Sequence, residues 1–237
     1  MPELPALRRV GHKGADHIAP GNTAESFDAA LAHGVDMIEF DVLPEDMHRP
    51  QDSRLLLSHD YDHDLSAALT LDAGLAHLAS SPFTSVELDV DLKLPGYETR
   101  VVDALRMHGL VERALVSSTF MRSLVAVRAL EPRLRLGWSV PRARRDYTQS
   151  RLWMLPAYAM VARIRRRLPA AVREHLTAGR CDAIMAHWRL VSDELVRSVA
   201  EAGGELYVWT VDDAARIRAL EAMGVTGVIT NDPRLFD

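Results

Sequence analysis

The pattern of apolar and polar residues alternates between strand-like and helix-like stretches over most of the chain. Short apolar runs, some with period-two alternation, are typical of strands, and apolar residues three and four apart are typical of helices. The strand-like runs cover residues 9–12, 37–42, 54–59, 85–92, 114–118, 134–140, 183–186, 205–210 and 226–230. Helix-like runs cover residues 23–34, 71–78, 98–108, 121–130, 193–202 and 213–223. This order predicts a parallel sheet with helical crossovers.

The number of strand signals exceeds by one the eight strands of a closed barrel. The loop that precedes residues 54–59 is polar and too irregular for a crossover helix, so we interpret this run as a hairpin partner of strand 37–42 or an irregular closure of the barrel. Barrels of this type reach about 200–250 residues around one core. We therefore predict an α/β protein with a single TIM-type (β/α)8 barrel domain over residues 1–237.

Composition and charge indicate which kinds of molecule the protein is suited to bind. The net charge is −5, and this value argues against a nucleic-acid-binding protein, which needs a clustered basic surface. One segment departs from the average, because residues 142–180 contain ten arginines and two acidic residues. We predict a short helical basic insertion there.

The basic segment mixes large apolar residues with arginines over residues 151–168. Two interpretations stay open. A basic amphipathic helix makes peripheral contact with an anionic membrane, whereas a helix that covers the barrel has a solvated arginine face. The chain has no apolar stretch typical of a signal peptide or a membrane span, and it has a single cysteine, Cys181. We expect a cytoplasmic protein, with the membrane as a candidate peripheral location.

Acidic residues occur two apart on two predicted strands. Glu39 and Asp41 project from the same face near the C-terminal end of their strand, where barrel active sites are built. Such a pair repels unless a cation lies between the carboxylates, and oxygen ligands suit Mg²⁺ or Ca²⁺. Asp91 and Lys93 repeat the spacing, which adds a third metal ligand and an ammonium able to pair with a phosphate.

Two of the ten histidines are the last residues of predicted strand runs. His12 and His59 follow short apolar runs, and both are candidates for general acid and general base near neutral pH. Asp60 follows His59 and is a candidate to orient its imidazole, although neighbours on a strand point to opposite faces.

These motifs together resemble the glycerophosphodiester phosphodiesterase family of the phosphatidylinositol-phospholipase-C-like barrel superfamily. The first half matches the family's His-Arg-Gly, Pro-Glu-Asn-Thr, Glu-x-Asp and His-Asp motifs. The matching segments are Gly11-His12-Lys13-Gly14, Pro20-Gly21-Asn22-Thr23, Ile38-Glu39-Phe40-Asp41-Val42 and Ser58-His59-Asp60. The second half is similar at residues 116–120, 208–212 and 223–233, the last two resembling Trp-Thr-Val and Gly-Val-Asp-Gly-Ile-x-Thr-Asp-x-Pro. The order and spacing of the pieces are specific, although each piece alone is weak.

The resemblance implies a role for each candidate residue. Glu39, Asp41 and Asp91 would hold one divalent cation, Mg²⁺ or Ca²⁺. His12 and His59 would perform acid–base chemistry on a phosphodiester. The lysines Lys13 and Lys93 would bind phosphate, and the aromatic residues Phe120 and Trp209 would shape the substrate pocket.

Several positions depart from the family pattern. Lys13 replaces arginine and Gly21 replaces glutamate, and we interpret the two changes as coupled, since an arginine that loses a carboxylate partner can be exchanged for a lysine. Asp91 replaces the glutamate of Glu-x-Lys, as in the sphingomyelinase D branch, and Glu87 or Asp89 on the same face could compensate for its shorter reach. About ten residues separate Asp60 from position 71, so no sizeable small domain is inserted after His59.

The leading hypothesis is metal-dependent hydrolysis of glycerophosphodiesters to sn-glycerol 3-phosphate and an alcohol, with a role in glycerol and lipid metabolism. A second hypothesis is lysophospholipase D or sphingomyelinase D-like action on membrane lipid headgroups. A third is a barrel that binds phosphate esters without turnover. The partner is in each case a small-molecule phosphodiester or a lysophospholipid.

Overall fold

A cylinder of parallel strands surrounded by helices forms the molecule. The structure is a computed structural model that describes residues 6–62, 64–141 and 154–237, with side chains in the last range from residue 160 onward. The strands are β1 (Arg8–Gly11), β2 (Met37–Pro44), β3 (Leu55–Leu57), β4 (Glu87–Leu92), β5 (Ala114–Ser118), β6 (Arg135–Val140), β7 (Ala183–His187), β8 (Glu205–Trp209) and β9 (Gly227–Thr230). The helices are α1 (Ala24–Ala32), α2 (Leu71–Leu78), α3 (Glu98–Met107), α4 (Met121–Leu130), α5 (Met154–Thr177), α6 (Asp193–Glu201) and α7 (Ala214–Met223).

Eight of these strands close into a barrel. Each pairs in parallel with its neighbours in the order β1, β2, β4, β5, β6, β7, β8 and β9, and β9 returns to β1. Strand β3 lies outside this ring and pairs antiparallel with the end of β2, from Val42 opposite Leu57 to Pro44 opposite Leu55. The prediction of a (β/α)8 barrel with a hairpin partner over the 54–59 run is therefore confirmed.

The strand alternation separates two apolar layers. Outward residues such as Phe40 and Val90 pack with the helices, and a smaller inner cluster that includes Met37, Met185 and Tyr207 fills the barrel. Because side chains alternate along a strand, the acidic residues of β2 and β4 share the inner face with this small cluster. The C-terminal ends of β2 and β4 consequently direct carboxylates into the barrel mouth.

The N-terminal end of the barrel is closed by a charged network. Glu87, at the start of β4, accepts hydrogen bonds from Arg8 and Arg135, the latter at 2.5 Å. Arg135 also pairs with Glu205 at 3.4 Å, and Tyr207 donates to Glu205 at 3.3 Å. These side chains join β1, β4, β6 and β8 at the end opposite the barrel mouth.

The described part of the predicted basic insertion is helix α5. Its apolar residues Val161, Ile164 and Leu168 pack against the core, and Val172 and Leu176 continue this stripe. The arginines at positions 163 and 165–167 are exposed. Residues 142–153 of the predicted insertion lie outside the described residues. Within the described ranges, no helix combines the length and the apolar character that crossing a bilayer requires.

Several predicted strand bounds differ from the structure by one or two residues, and two of these differences concern the β2–β3 hairpin. The 54–59 run is a strand only over Leu55–Leu57, so His59 lies in the following loop. Strand β2 continues to Pro44, since its last residues pair with β3 beyond the barrel ring. Between β3 and α2 the described residues form one short 3-10 turn, Leu65–Ala67, in agreement with the predicted lack of an inserted domain.

Candidate active site

Three carboxylates converge at the C-terminal mouth of the barrel. Glu39 and Asp41 lie on β2, and Asp91 lies on β4 directly opposite Asp41 in the strand register. One oxygen from each of the three carboxylates lies within 4.8 Å of the other two. Asp41 is fully buried and Glu39 is 5% exposed. The strand spacing alone explains this convergence, because alternate residues of adjacent parallel strands face the same interior.

Two polar side chains hold this acidic cluster. Lys93 Nζ lies 2.5 Å from Asp41 Oδ1 and donates a hydrogen bond of 2.6 Å to Asp91 Oδ2. Asn22, in the loop before α1, donates from Nδ2 to Asp41 Oδ2 at 2.9 Å and accepts from the Asp41 backbone N–H at 3.0 Å. The cluster thus has one fixed positive charge and one amide that fixes the orientation of Asp41.

The charges in the cluster depend on one another. Burial opposes ionisation of Asp41, but the Lys93 ammonium and the imidazoles of His59 and His12 hold its pKa below the ordinary value. Burial and the neighbouring Asp41 charge raise the pKa of Glu39 well above its usual range. Burial also disfavours the ammonium of Lys93, yet the carboxylates of Asp41 and Asp91 raise its pKa. A single ammonium leaves the three carboxylates short of positive charge.

The cluster fits a divalent cation. Oδ1 of Asp91 is buried and accepts no hydrogen bond, and Oδ1 of Asp41 is buried beside the Lys93 ammonium, which Asp41 shares with Asp91. Buried oxygen atoms without partners are costly, and three carboxylates supply the hard oxygen donors that Mg²⁺ and Ca²⁺ prefer. Glu39, Asp41 and Asp91 are therefore the residues that would hold the ion.

The structure separates Asp91 from the two other acids of its strand. Glu87 pairs with arginines at the opposite end of the barrel. Asp89 lies opposite Glu39 in the register, one residue layer below Asp41 and Asp91, and burial raises its pKa to about 8. Neither Glu87 nor Asp89 contributes an oxygen to the converging group. Asp91, the acid two residues before Lys93, does.

His12 follows β1 and faces the cluster. Its Nε2 lies 3.8 Å from Glu39 Oε2, and its Nδ1 lies 2.5 Å from the side-chain oxygen of Asn231. Asn231 is itself held by Asp212, which accepts from its backbone N–H at 2.8 Å and from its Nδ2 at 2.7 Å. With the amide nitrogen bound to Asp212, the amide oxygen is the atom presented to His12. Nδ1 of His12 must then carry the hydrogen, so Nε2 faces the cluster.

Burial lowers the pKa of His12 below its ordinary value, and this effect exceeds the opposing influence of the Asp41 charge. The neutral imidazole is consequently favoured. A neutral ring with hydrogen on Nδ1 has a lone pair on Nε2, the nitrogen nearest Glu39.

His59 lies in the loop after β3, where its side chain is 53% exposed. Its Nδ1 lies 3.0 Å from Asp60 Oδ2. The expectation that neighbouring residues point apart does not apply here, because the strand ends at Leu57 and the loop lets Asp60 turn back. His59 is also near enough to Asp41 to favour ionisation of that carboxyl. Both predicted histidines therefore lie beside the acidic cluster.

The two lysines occupy different surroundings. Lys93 contacts the cluster, whereas Lys13 Nζ pairs with Asp16 Oδ2 at 3.3 Å. It is the backbone of Lys13 that reaches the cluster, through a hydrogen bond of 2.9 Å from its N–H to Glu39 Oε2. The sequence prediction treated both as phosphate ligands and did not separate these positions.

The two predicted aromatic pocket residues lie at strand ends on the mouth side. Phe120 follows β5 and lines, with Thr119, Met121 and Arg122, an open cavity of about 400 Å³. Trp209 ends β8, packs on the inner apolar cluster and donates from its indole N–H to the Met185 carbonyl at 2.8 Å. Their roles in substrate binding stay a prediction.

Sequence reasoning gave no role to Asn22, Asn231, Asp212 or Asp16, although each contacts a candidate residue. Asn22, Asn231 and Asp212 stand inside motifs that carried the resemblance, which was the available signal. Asp16 stands between two motifs and carried no such signal. Its contact with Lys13 depends on the fold of the loop.

Comparison with known proteins shows which family this chain resembles. The model of the glycerophosphoryl diester phosphodiesterase family matches residues 12–73 and 96–235. A glycerophosphodiester phosphodiesterase of Bacillus subtilis (strain 168) is 24% identical over 272 residues, covering 96% of this chain and 84% of the relative.

Solved structures share the fold at low sequence identity. A putative glycerophosphoryl diester phosphodiesterase from Silicibacter pomeroyi has a TM-score of 0.76 at 19% identity, covering 99% of this chain and 92% of that protein. An Oleispira antarctica phosphodiesterase, solved with the product sn-glycerol-3-phosphate, has a TM-score of 0.69 at 20% identity, covering 98% and 94%. With the family model matched over most of its length, the chain belongs to the glycerophosphoryl diester phosphodiesterase family and is a phosphoric diester hydrolase.

Proposed function

We propose that the protein hydrolyses glycerophosphodiesters to sn-glycerol 3-phosphate and an alcohol, using a divalent cation and two histidines. The observation that carries this proposal is the convergence of three carboxylates, two of them buried, with one ammonium and two imidazoles at the barrel mouth. Membership of the family supports the substrate class. The product bound to the similar Oleispira antarctica phosphodiesterase supports the glycerol phosphate half.

Glu39, Asp41 and Asp91 would hold the cation, and the cation would supply positive charge at a nonbridging phosphate oxygen. Lys93 has two parts in this arrangement. It neutralises the carboxylates between which it lies, and its ammonium provides a second positive contact for the phosphate. Asn22 keeps Asp41 oriented through both of its amide contacts.

His12 serves as the general base. Asn231 accepts the Nδ1 hydrogen, so Nε2 takes a proton from the nucleophile, which is a water molecule or a hydroxyl of the glycerol moiety. The nucleophile then bonds to phosphorus. With a glycerol hydroxyl as nucleophile, a cyclic phosphate forms first and water opens it in a second step.

His59 serves as the general acid. Its neighbour Asp60 accepts from Nδ1 and orients the ring, and the protonated ring donates a proton to the alkoxide as the bond between phosphorus and the alcohol oxygen breaks. The exposed position of His59 suits contact with an alcohol group of variable size. Phe120 and Trp209 would then border the space for that alcohol.

The test is an assay of sn-glycerol 3-phosphate and alcohol release from glycerophosphocholine and glycerophosphoethanolamine, with Mg²⁺, Ca²⁺ or chelator. We expect turnover with a cation and none with chelator. His12→Ala and His59→Ala should each lower kcat by about 10²- to 10⁴-fold, the range typical of acid–base catalysts. His108→Ala is the matched control, because His108 pairs with Asp72 on helices away from the mouth.

The outcomes separate the rival hypotheses. Release of choline from lysophosphatidylcholine, without turnover of glycerophosphodiesters, would replace the proposal by the phospholipase D-like alternative. Binding of sn-glycerol 3-phosphate without turnover of any substrate would identify a phosphate-ester-binding barrel instead.

A further inference from the structure

The loop between β1 and α1 contains a carboxylate that contacts two of its unusual positions. Asp16 accepts a hydrogen bond from the Lys13 ammonium at 3.3 Å through Oδ2. Its other oxygen, Oδ1, accepts from the backbone N–H of Gly21 at 2.8 Å. One side chain therefore links the lysine that stands in place of arginine with the glycine that stands in place of glutamate.

Asp16 also occupies the volume of a side chain at position 21. A Cβ atom added to Gly21 would lie 2.5 Å from Asp16 Oδ1, 2.8 Å from Asp16 Cγ and 2.9 Å from Lys13 Cβ. Contacts below 3.0 Å are not found for real Cβ atoms, so something would have to shift. A glutamate at position 21 and the observed Asp16 carboxylate are thus mutually exclusive in this loop conformation.

The backbone of Lys13 is fixed beside the metal ligands. Its φ of +51° is in the left-handed region, its N–H donates to Glu39, and its carbonyl accepts from Asn22 N–H at 3.0 Å and from Ser26 Oγ at 2.7 Å. Its side chain has four rotatable bonds and is 21% exposed. Among the described residues, Asp16 is the one group that binds its ammonium.

We propose that Asp16 is a positioning residue that holds the Lys13 ammonium at the phosphate-binding side of the barrel mouth. It supplies from position 16 the carboxylate that the family pattern places at position 21. A lysine gains more from such a partner than an arginine does, because a single ammonium on a flexible stem has no planar fork to limit its directions. This inference rests on the proposed function, in which Lys13 contacts the phosphate.

A double-mutant cycle tests the proposal. The variants are Asp16→Asn, Lys13→Ala and the double variant, measured as cation-loaded protein with glycerophosphocholine, and by calorimetric binding of sn-glycerol 3-phosphate. Asn keeps an oxygen for Gly21 N–H but lacks the charge that attracts Lys13. We expect Asp16→Asn to raise KM and Kd about three- to tenfold with little change in kcat. In the Lys13→Ala background Asp16→Asn should have no further effect, because it acts through Lys13.

Gly21→Ala is a second variant that leaves both charged residues in place. Its Cβ displaces the Asp16 carboxylate, so it should raise KM in the same direction as Asp16→Asn. The control is Asp103→Asn, since Asp103 forms an i, i+3 pair with Arg106 at the same distance of 3.3 Å on the outer surface of α3. This control should leave KM and Kd unchanged, and thermal unfolding should show that all variants fold.

Two results overturn the role of Asp16 while the proposed function stands. One is an equal effect of Asp16→Asn with and without Lys13, which would indicate a purely structural role. The other is unchanged or tighter binding in Asp16→Asn, which would show that Asp16 only neutralises Lys13. A wild-type protein that neither hydrolyses glycerophosphodiesters nor binds sn-glycerol 3-phosphate would overturn both proposals.

Discussion

Depth along one strand decides what each acidic residue of β4 does. Glu87, Asp89 and Asp91 share the inner face, but Glu87 meets two arginines, Asp91 meets Lys93 and the cluster, and Asp89 lies between them with one oxygen unpartnered. The same chemical group is thus structural at one end of the barrel and a candidate ligand at the other. The middle residue has neither a cationic partner nor a place in the cluster.

Asp89→Asn should stabilise the folded protein in chelator, and the gain should grow with pH. The folded-state pKa of Asp89, about 8, lies above its ordinary value of 3.8, so folding takes up a proton between these values. Asp89 therefore does not lower the free energy of unfolding below about pH 4. As pH rises from there towards about 8, ionisation of Asp89 in the unfolded chain lowers that free energy increasingly. Chemical denaturation should show no difference near pH 4 and more than about 1 kcal/mol in favour of the variant at pH 8.

Asp91→Asn is the comparison for that variant, because it removes a cluster carboxylate from the same strand. It should lose cation binding in calorimetry, whereas Asp89→Asn should retain it. Loss of cation binding in Asp89→Asn and its retention in Asp91→Asn would instead identify Asp89 as the third ligand.

Asn231→Ala should lower kcat about tenfold or more while KM changes little. The variant removes the acceptor that fixes the hydrogen on Nδ1 of His12, so the ring loses its orientation while the phosphate contacts remain. Steady-state kinetics with glycerophosphocholine measures the effect. A change confined to KM would mean that Asn231 contacts substrate rather than His12.

At the scale of elements, helix α5 packs most of its described large apolar residues against the barrel. Val161, Ile164 and Leu168 pack against the barrel, and Met160 is the one large apolar side chain that the described part of the helix leaves exposed. Its exposed arginines at positions 163 and 165–167 have no acidic partner among the described residues. Any contact of this face with a membrane therefore depends mainly on charge.

We predict that the protein sediments with phosphatidylglycerol vesicles at low salt and does not sediment with phosphatidylcholine vesicles. It should be released from the former by 0.5 M NaCl, because the Debye length at that salt concentration, between about 3 and 10 Å, screens exposed charges. A variant with the four arginines changed to glutamine should stay in solution. Arg173→Gln is the control, since Arg173 already pairs with Glu201 at 3.0 Å. Equal sedimentation of the fourfold variant would rule out this face as the contact.

Strands and helices were predictable from the sequence where the hydrophobic period and the length of the run indicated the same element. The alternation in β4 predicted that its three acids share one face, and the irregular loop before β3 predicted a hairpin rather than a crossover. The strand end before His59 was not predictable, because pairing with β2 rather than local apolarity sets where β3 stops.

Contacts between distant loops were also beyond the sequence. The motifs named Lys13 and Gly21 as departures, but the sequence gave no reason to place Asp16 against both of them. The link from Asp212 through Asn231 to His12 likewise joins strand ends that only barrel closure brings together. Such contacts depend on loop conformation, which residue periodicity does not encode.

At the scale of the whole molecule, the barrel divides stability and chemistry between its two ends. The N-terminal end is tied by Glu87 to Arg8 and Arg135, whereas the candidate catalytic residues all follow or end strands at the mouth. This polarity is general for the fold, since the loops after the strands vary without disturbing the inner packing.

Glu87→Gln should therefore destabilise the protein without impairing the site. Two arginines lose their shared carboxylate in a partly buried setting, which costs about 1–2 kcal/mol and lowers Tm by about 2–8 °C. Calorimetric unfolding and steady-state kinetics should show the lower Tm with kcat and KM within about twofold of wild type. A large loss of kcat at unchanged stability would contradict this division.

The most direct measurement of the central claim is the position of the cation. Crystals grown with Mn²⁺ and sn-glycerol 3-phosphate would give an anomalous difference map that locates the metal independently of the refined atoms. The account predicts one peak within about 2.0–2.6 Å of oxygens from Glu39, Asp41 and Asp91, with the phosphate beside it and Lys93 in contact. A metal bound elsewhere, or three carboxylates that point to separate places, would contradict it.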